Sequence, residues 1–502
     1  MKTKKIFALF GLCFLLCGKM YAQIVSQETA RKVAERFFLS LTSSSSIEAI
    51  NVFPSDNREQ PTMFAFSLHD RWVLISGDKR LQPILAYSDE NAGVFPSTED
   101  MPDGMLYMLE WYNEQIVATR NGISERDINP QWEMYLNGNE RNFSNRSVVV
   151  GPLLIRAGEE NAWKQGWNNG NAAYDTTKYY NKFCPILPDC PHRAVVGCVA
   201  LALGQVMWYW KWPYAAIIDI GNGSVIHNYD WDAMPVKLYD STSIYKVDMT
   251  AIMLRDCGVS VHMNYGCNAS RTSSERLISA LRDIFGYNAD NLIYRRNYPD
   301  SAWLNLMKGD LNALRPILYS GSSTEDAHQF VIDGYDSENL FHINYGWGGS
   351  QNGFFAISNI SYNAYQSMII GIYPNYPSCS PMVISSSDIW ESPFLIQNGG
   401  AIIIGNRIVR EGMQGAIFTN ESVTLASGFE VELGAEVYID IMDMNCDNER
   451  AHSPITPSEQ NSSSRMPEKE TTYSPATKIL RDGQILILRG ENIYDICGRQ
   501  IQ

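Results

Sequence analysis

The sequence is poor in charge and has no excess of positive residues, and both shortages exclude functions. Asp, Glu, Lys and Arg make up 19% of the 502 residues, and 55 acidic against 40 basic side chains leave a formal net charge of −15. An acidic balance spread without long runs favours solubility and argues against nucleic-acid binding. No two of the ten cysteines stand at the C-x-x-C spacing of zinc sites, so neither a metal nor a cofactor is expected. Once the first apolar run is passed, no segment is long enough to span a membrane. Disorder is excluded as well, because 45% of the residues are hydrophobic and 12% aromatic. A chain of this length exceeds one ordinary core, and two to four domains are expected.

The compartment is written at the N-terminus. Lys2, Lys4 and Lys5 precede the apolar run Ile6 to Cys17, and Met20-Tyr21-Ala22 offers a cleavage site before Gln23. This is the pattern of a secretory signal peptide over residues 1–22, and it predicts a secreted or cell-surface protein. Lipidation at Cys17 is weighed against by the bulky Leu16. Loss of the signal would remove Cys13 and Cys17 and leave eight cysteines. Export permits disulfides, and Cys184/Cys190 or Cys257/Cys267 could close short loops.

Residues 23–147 read as a first module. Ala30, Val33, Ala34, Phe37, Phe38 and Leu41 fall at helical spacing, three alternating segments near 63–68, 72–77 and 83–88 read as strands, and 105–120 returns to helix. Asn137 to Ser147, rich in Asn, Arg and Ser, reads as an exposed linker open to proteolysis. Residues 148–375 hold the chemistry. Short strands punctuated by glycine over 376–446 suit a small sandwich or solenoid. A polar linker follows over 447–477, and strand character returns over 478–502. The fold class is α+β.

Cys198 is the first candidate for catalysis. Gly197 permits a tight entry turn and Cys198 to Trp210 has a helical pattern ending before Pro213, so the thiol would stand at a helix N-terminus. Orphan N–H groups and the macrodipole there favour the thiolate. Alone, a cysteine in such a run is an ordinary small core residue, and its companions decide the reading. His328 precedes the run Gln329 to Gly334. A turn at Ser337-Glu338-Asn339 follows, then Leu340 to Tyr345, which together read as a hairpin that sets His328 beside Asn344. An imidazole base next to the thiol, with Asn344 fixing its tautomer, is the logic of a nucleophilic triad. Of the other histidines only His342 rivals His328, and its place inside the strand argues for a packed role. Gln165, in a Trp/Gly loop, is the best side-chain donor for an oxyanion hole. Trp347, in Gly346-Trp347-Gly348-Gly349, could shield the hairpin end from water.

Several ordered motifs over residues 148–375 resemble one family. Gly197-Cys198-Val199-Ala200 with the later Gly204-Gln205-Val206-Met207 and Trp212-Pro213 resembles the nucleophile block of streptopain-type cysteine peptidases. Ala327-His328-Gln329-Phe330-Val331-Ile332-Asp333-Gly334 and Phe341-His342-Ile343-Asn344-Tyr345-Gly346-Trp347-Gly348-Gly349 resemble its histidine block. Residues 76–80 and 84–88 resemble its inhibitory propeptide. The resemblance implies a papain-like fold with Cys198 as nucleophile, His328 as base and Gln165 as oxyanion partner. Trp347 matches a family tryptophan near the histidine. The substrate wall would lie near Ser270 and Ala327. Protein or peptide substrates are implied, with the chain's own propeptide as intramolecular inhibitor. The tail resembles C-terminal sorting or anchoring domains of exported proteins, which implies attachment at a cell surface. The rival reading is an adhesin whose peptidase domain is vestigial, against which the intact set Cys198, His328, Asn344 and Gln165 speaks.

Overall fold

The computed structural model describes residues 23–41, 46–54, 60–88, 92–137, 147–165, 179–357, 366–446, 477–495 and 500–501. Short breaks lie at 98–99, 102, 124–126, 189, 191, 222, 323–326, 387, 482–483 and 490–491. The expected signal peptide, most of the expected cleavage linker, all but the last residue of the linker over 447–477, and Cys497 lie outside the described residues. Helices and strands are mixed throughout, and the chain divides into two compact units. One unit comprises Met1–Ile155, Glu160–Lys164 and Leu292–Ile370; the other comprises Arg156–Glu159, Gln165–Asn291 and Gly371–Gln502. The leader module therefore shares a unit with the histidine strands, and the cysteine helix shares one with the C-terminal strands.

The first unit is built on a single antiparallel sheet. Its leader strands are β1 (Ala49–Phe53), β2 (Met63–Leu68), β3 (Arg71–Ser76) and β4 (Ile84–Ser88), and β5 (Val148–Val150) follows in the chain. The remaining strands are β6 (Ile293–Tyr294), β7 (Ile317–Ser322), β8 (Ala327–Asp336), β9 (Leu340–Asn344), β10 (Gly353–Ala356) and β11 (Gln366–Ile369). Their spatial order is β1-β2-β3-β4-β10-β9-β8-β7-β11-β6, with β5 on the end of β8. Two residues join β2 to β3, and His69 takes the positive φ of 55° that so short a turn requires.

All six residues of β2 are buried, so both faces of the sheet are covered there and the expected alternation is lost. Helix α1 (Gln27–Leu41) supplies part of that cover through Ala30, Val33, Ala34, Phe37 and Phe38, the spacing that the sequence shows. Helix α2 (Asp103–Arg120) packs against β7 and β8. The leader strands and the later strands meet where Tyr87 of β4 pairs with Phe354 of β10, their rings stacked 4.9 Å apart. The buried Tyr112 hydroxyl of α2 lies 3.0 Å from the Leu85 carbonyl and 2.8 Å from the Ala356 carbonyl, which ties the two strands together.

The second unit centres on α3 (Cys198–Trp210), whose residues Val199 to Trp208 are all buried; apolar on every side, it is an internal helix. It packs on α4 (Ile244–Ser260). Toward the C-terminus the expected choice between sandwich and solenoid resolves to a solenoid. Met382–Ile384, Ile402–Ile404 and Val423–Leu425 stack in parallel, as do Asp388–Trp390, Arg407–Val409 and Glu430–Val431. Phe394–Asn398, Gln414–Thr419 and Glu436–Ile441 form the third parallel column. Coils of about twenty residues enclose Ile402, Ile404, Val409, Ile417 and Val437, because no single coil can bury its apolar face alone. Cys379 and Cys446 close the solenoid with a disulfide. Ala416, Phe418 and Met444 on its outside pack with Ala215 of the hairpin Ala215–Asp219/Ser224–Asn228.

Candidate active site

The approach to Cys198 is clamped residue by residue. The Val195 N–H donates to the Gly266 carbonyl at 3.1 Å, and the Val195 carbonyl accepts the Ser270 hydroxyl at 2.5 Å. Next, the Val196 N–H donates to Asn181 Oδ1 at 2.9 Å. Gly197 then turns with φ 85°, in the region that favours glycine. A Cβ there would stand 2.9 Å from Met263 Cε and 3.1 Å from Ser270 Cβ, so the position also has no room for a side chain. Cys198 follows as the first residue of α3, where the helix presents its first-turn N–H groups and positive dipole end. It is half-buried, whereas the thiols of Cys184 and Cys257 are buried. Burial pushes the Cys184 thiol up to about 12 and raises that of Cys257 well above its ordinary value, which leaves both as unreactive thiols.

Two sequence expectations change here. Cys190 and Cys267 form the disulfide, across 77 residues, in place of either short loop. Cys184 and Cys257 sit in the core, away from the partners that the short loops required. Ser270, expected on a substrate wall, is 5% exposed; its hydroxyl holds Val195 and accepts the Gly266 N–H at 3.1 Å. It supports the backbone that leads to Cys198, and its burial does not fit the expected place on a substrate wall.

Gln165 is half-buried, and its carbonyl accepts the Asn181 side-chain N–H at 3.1 Å. One buried amide, Asn181, thus holds both the Gln165 segment and the residue two before Cys198. Nothing in the sequence marks it, since an Asn after two tyrosines in a loop carries no motif.

His328 is the second residue of β8 and is buried, opposite Gly321 of β7. Its Nε2 lies 3.1 Å from the backbone carbonyl of Tyr345. Asn344, expected to orient the ring, pairs instead opposite Val331, three residues along β8. Its side chain donates to Glu160 Oε1 at 2.9 Å and to the Asn161 carbonyl at 2.8 Å, and accepts the Gly346 N–H at 3.0 Å. The register brings the carbonyl of the next residue, Tyr345, to the imidazole. Ala327 is exposed at the start of β8. Trp347 is half-buried in its glycine turn with its indole nitrogen buried, and its backbone bridges to Lys164, the residue before Gln165. His342 is packed as its strand position implies: its Nδ1 lies 2.6 Å from Asp333 Oδ1, and both side chains are wholly buried. Among the described residues no cluster of three or more His, Cys, Asp or Glu could hold a metal ion.

The leader helix lies directly on the histidine. A Cβ at Gly104 of α2 would come within 2.6 Å of His328 Cδ2 and 2.7 Å of Tyr345 Cδ1. One turn on, Tyr107 of α2 fills the space that a side chain at Gly321 would need, at 2.4 Å.

Comparison with known proteins finds similarity over both the leader and the region that follows it. The model of the Peptidase C10 family matches residues 174–355, and that of the Spi protease inhibitor matches residues 22–116. The chain carries a Peptidase C10 family domain. It is 28% identical over 406 residues to the thiol protease/hemagglutinin PrtT of Porphyromonas gingivalis, across 74% of this chain and 44% of that protein. It thus spans less than half the length of that relative. It is also 28% identical over 344 residues to streptopain of Streptococcus pyogenes, across 60% of this chain and 78% of streptopain. Among solved structures, a prointerpain A fragment of Prevotella intermedia matches with a TM-score of 0.48 and 23% identity, covering 62% of this chain and 96% of that one.

The C10 match contains Cys198, Ser270, Ala327, His328, Asn344 and Trp347 and begins after Gln165. The inhibitor match contains Gly104 and Tyr107, the two residues of α2 that press on the His328 strand pair. The Peptidase C10 match therefore lies behind a Spi protease inhibitor match whose residues Gly104 and Tyr107 pack on the His328 strand pair.

Proposed function

We propose that this protein is an exported, papain-like cysteine endopeptidase made as a zymogen. Cys198 attacks the peptide carbonyl as thiolate, while its own N–H and the Gln165 amide hold the oxyanion. His328 protonates the leaving amine and then activates water to release the acyl group, with the Tyr345 carbonyl orienting its ring. Trp347 shields the ring from water, and Ala327 lines the substrate wall. Residues 1–22 direct export, 23–147 inhibit until cleaved near 142–147, 148–375 catalyse, and the C-terminal region attaches the product to a cell surface. Two disulfides fit an oxidising compartment.

The observation that carries the reading is Cys198 at the mouth of α3 within a C10 domain. The inhibitor-type domain and the thiol-protease relatives do not favour the adhesin alternative. The test is Cys198→Ala: it should abolish hydrolysis of a denatured protein substrate and leave the precursor unprocessed in a purified system. Hydrolysis that survives the substitution would overturn the reading.

A further inference from the structure

We infer that Asn181 is the positioning residue that aligns the oxyanion donor Gln165 with Cys198. The inference rests on the oxyanion role proposed for Gln165. Asn181 is 1% exposed, and both ends of its amide meet backbone. Oδ1 accepts the Val196 N–H at 2.9 Å and Nδ2 donates to the Gln165 carbonyl at 3.1 Å. The residue is itself fixed, since its carbonyl accepts the Cys184 N–H at 2.9 Å in the turn after Tyr179.

The chemistry explains why an amide stands there. Only a side chain with an acceptor and a donor on one rigid plane can hold an N–H of one segment and a carbonyl of another at a set spacing. Asp lacks the donor, Ser cannot span both, and an apolar residue would orphan two buried backbone groups. The two segments it joins are the ones that must converge. Val196 leads through Gly197 to the Cys198 N–H, and Gln165 brings the second donor. Oxyanion donors act only when held within about 0.5 Å of the developing charge, and this tether sets their separation.

The test compares Asn181→Asp, which keeps the acceptor for Val196 and removes the donor to Gln165, with Asn181→Ala, which removes both. Each full-length variant is matured by tagged wild-type enzyme that is then removed. Three quantities are read: kcat and KM on a peptide amide, and the rate of Cys198 alkylation by iodoacetamide, a reaction that forms no oxyanion. For Asn181→Asp, kcat should fall about 10²-fold, with KM and alkylation within about threefold. In a Gln165→Ala background the same substitution should add less than about threefold, because the donor it positions is gone. Full additivity with Gln165→Ala, or alkylation slowed as much as hydrolysis, would overturn the positioning role while leaving Gln165 in place. An unchanged kcat for Gln165→Ala alone would overturn the oxyanion role and this inference with it.

Discussion

His328 Nε2 faces the carbonyl of Tyr345 at 3.1 Å, so a backbone acceptor stands at this imidazole. No substitution at 345 can delete it, and the side chain of Asn344 is engaged on Glu160, Asn161 and Gly346. Asn344→Ala should therefore act mainly on folding. Three bonds from a buried amide are lost and their partners left short, which destabilises by about 2–4 kcal/mol. The matured variant should retain kcat within about tenfold of wild type at temperatures where it is folded. Thermal unfolding alongside steady-state kinetics separates the two effects, and a loss of about 10³ or more in kcat would return the orienting role to Asn344.

Gly104 should control the strength of inhibition. A valine there must displace either the His328 ring or helix α2. An overpacked contact costs about 1–3 kcal/mol, so the covered state should weaken by roughly 5- to 160-fold. Labelling of Cys198 by an epoxide inhibitor in the uncleaved precursor should accelerate by that factor. A precursor that labels as slowly as wild type would show that α2 does not gate the site.

Thiol reactivity should single out Cys198 among the described cysteines outside disulfides. Desolvation raises the Cys184 thiol to about 12, so at pH 8 its thiolate is scarce, and burial raises Cys257 likewise. Even at pH 9 only about one Cys184 thiol in a thousand is ionised, so a short pulse should leave both buried thiols unlabelled. Peptide mapping after a short iodoacetamide pulse should find the label on the Cys198 peptide and leave those of Cys184 and Cys257 unmodified.

The solenoid should depend on its staple. Cys379 and Cys446 are 67 residues apart, and a loop of that length contributes about 4 kcal/mol in the chain-entropy model. Cys379→Ser with Cys446→Ser should lower the unfolding temperature of the C-terminal strands by several degrees. Calorimetry of the double variant checks this; an unchanged transition would mean that the coils hold together by their apolar filling alone.

Much of the fold is legible in the amino-acid sequence. Helix α1, the helix opened by Cys198 and the hairpin of β8 and β9 follow from side-chain periodicity and turn residues, which are local signals. What the sequence hides is long-range. The pairing of Cys190 with Cys267 joins segments 77 residues apart, and no spacing rule selects it. The group 3.1 Å from His328 Nε2 is a carbonyl, which every residue carries alike, so only strand register could reveal it. Asn181 has the same problem from the other side: its value lies in what it touches. Ser270 belongs to the loop that the sequence points to, but burial decides which way its hydroxyl turns.

The union of β4 with β10 carries a consequence for the product of maturation. While the leader stays, Gly353–Ala356 is an interior strand, and Phe354 is roofed by Tyr87. Once the leader is shed, that strand becomes a raw margin with unpaired amides and two phenylalanines beside it. Raw margins seek strands from neighbours, so freshly trimmed molecules at high concentration are prone to zip together edge to edge. Timing of the trim then governs solubility as well as catalysis: a molecule released from its leader only after dispersal avoids its own kind.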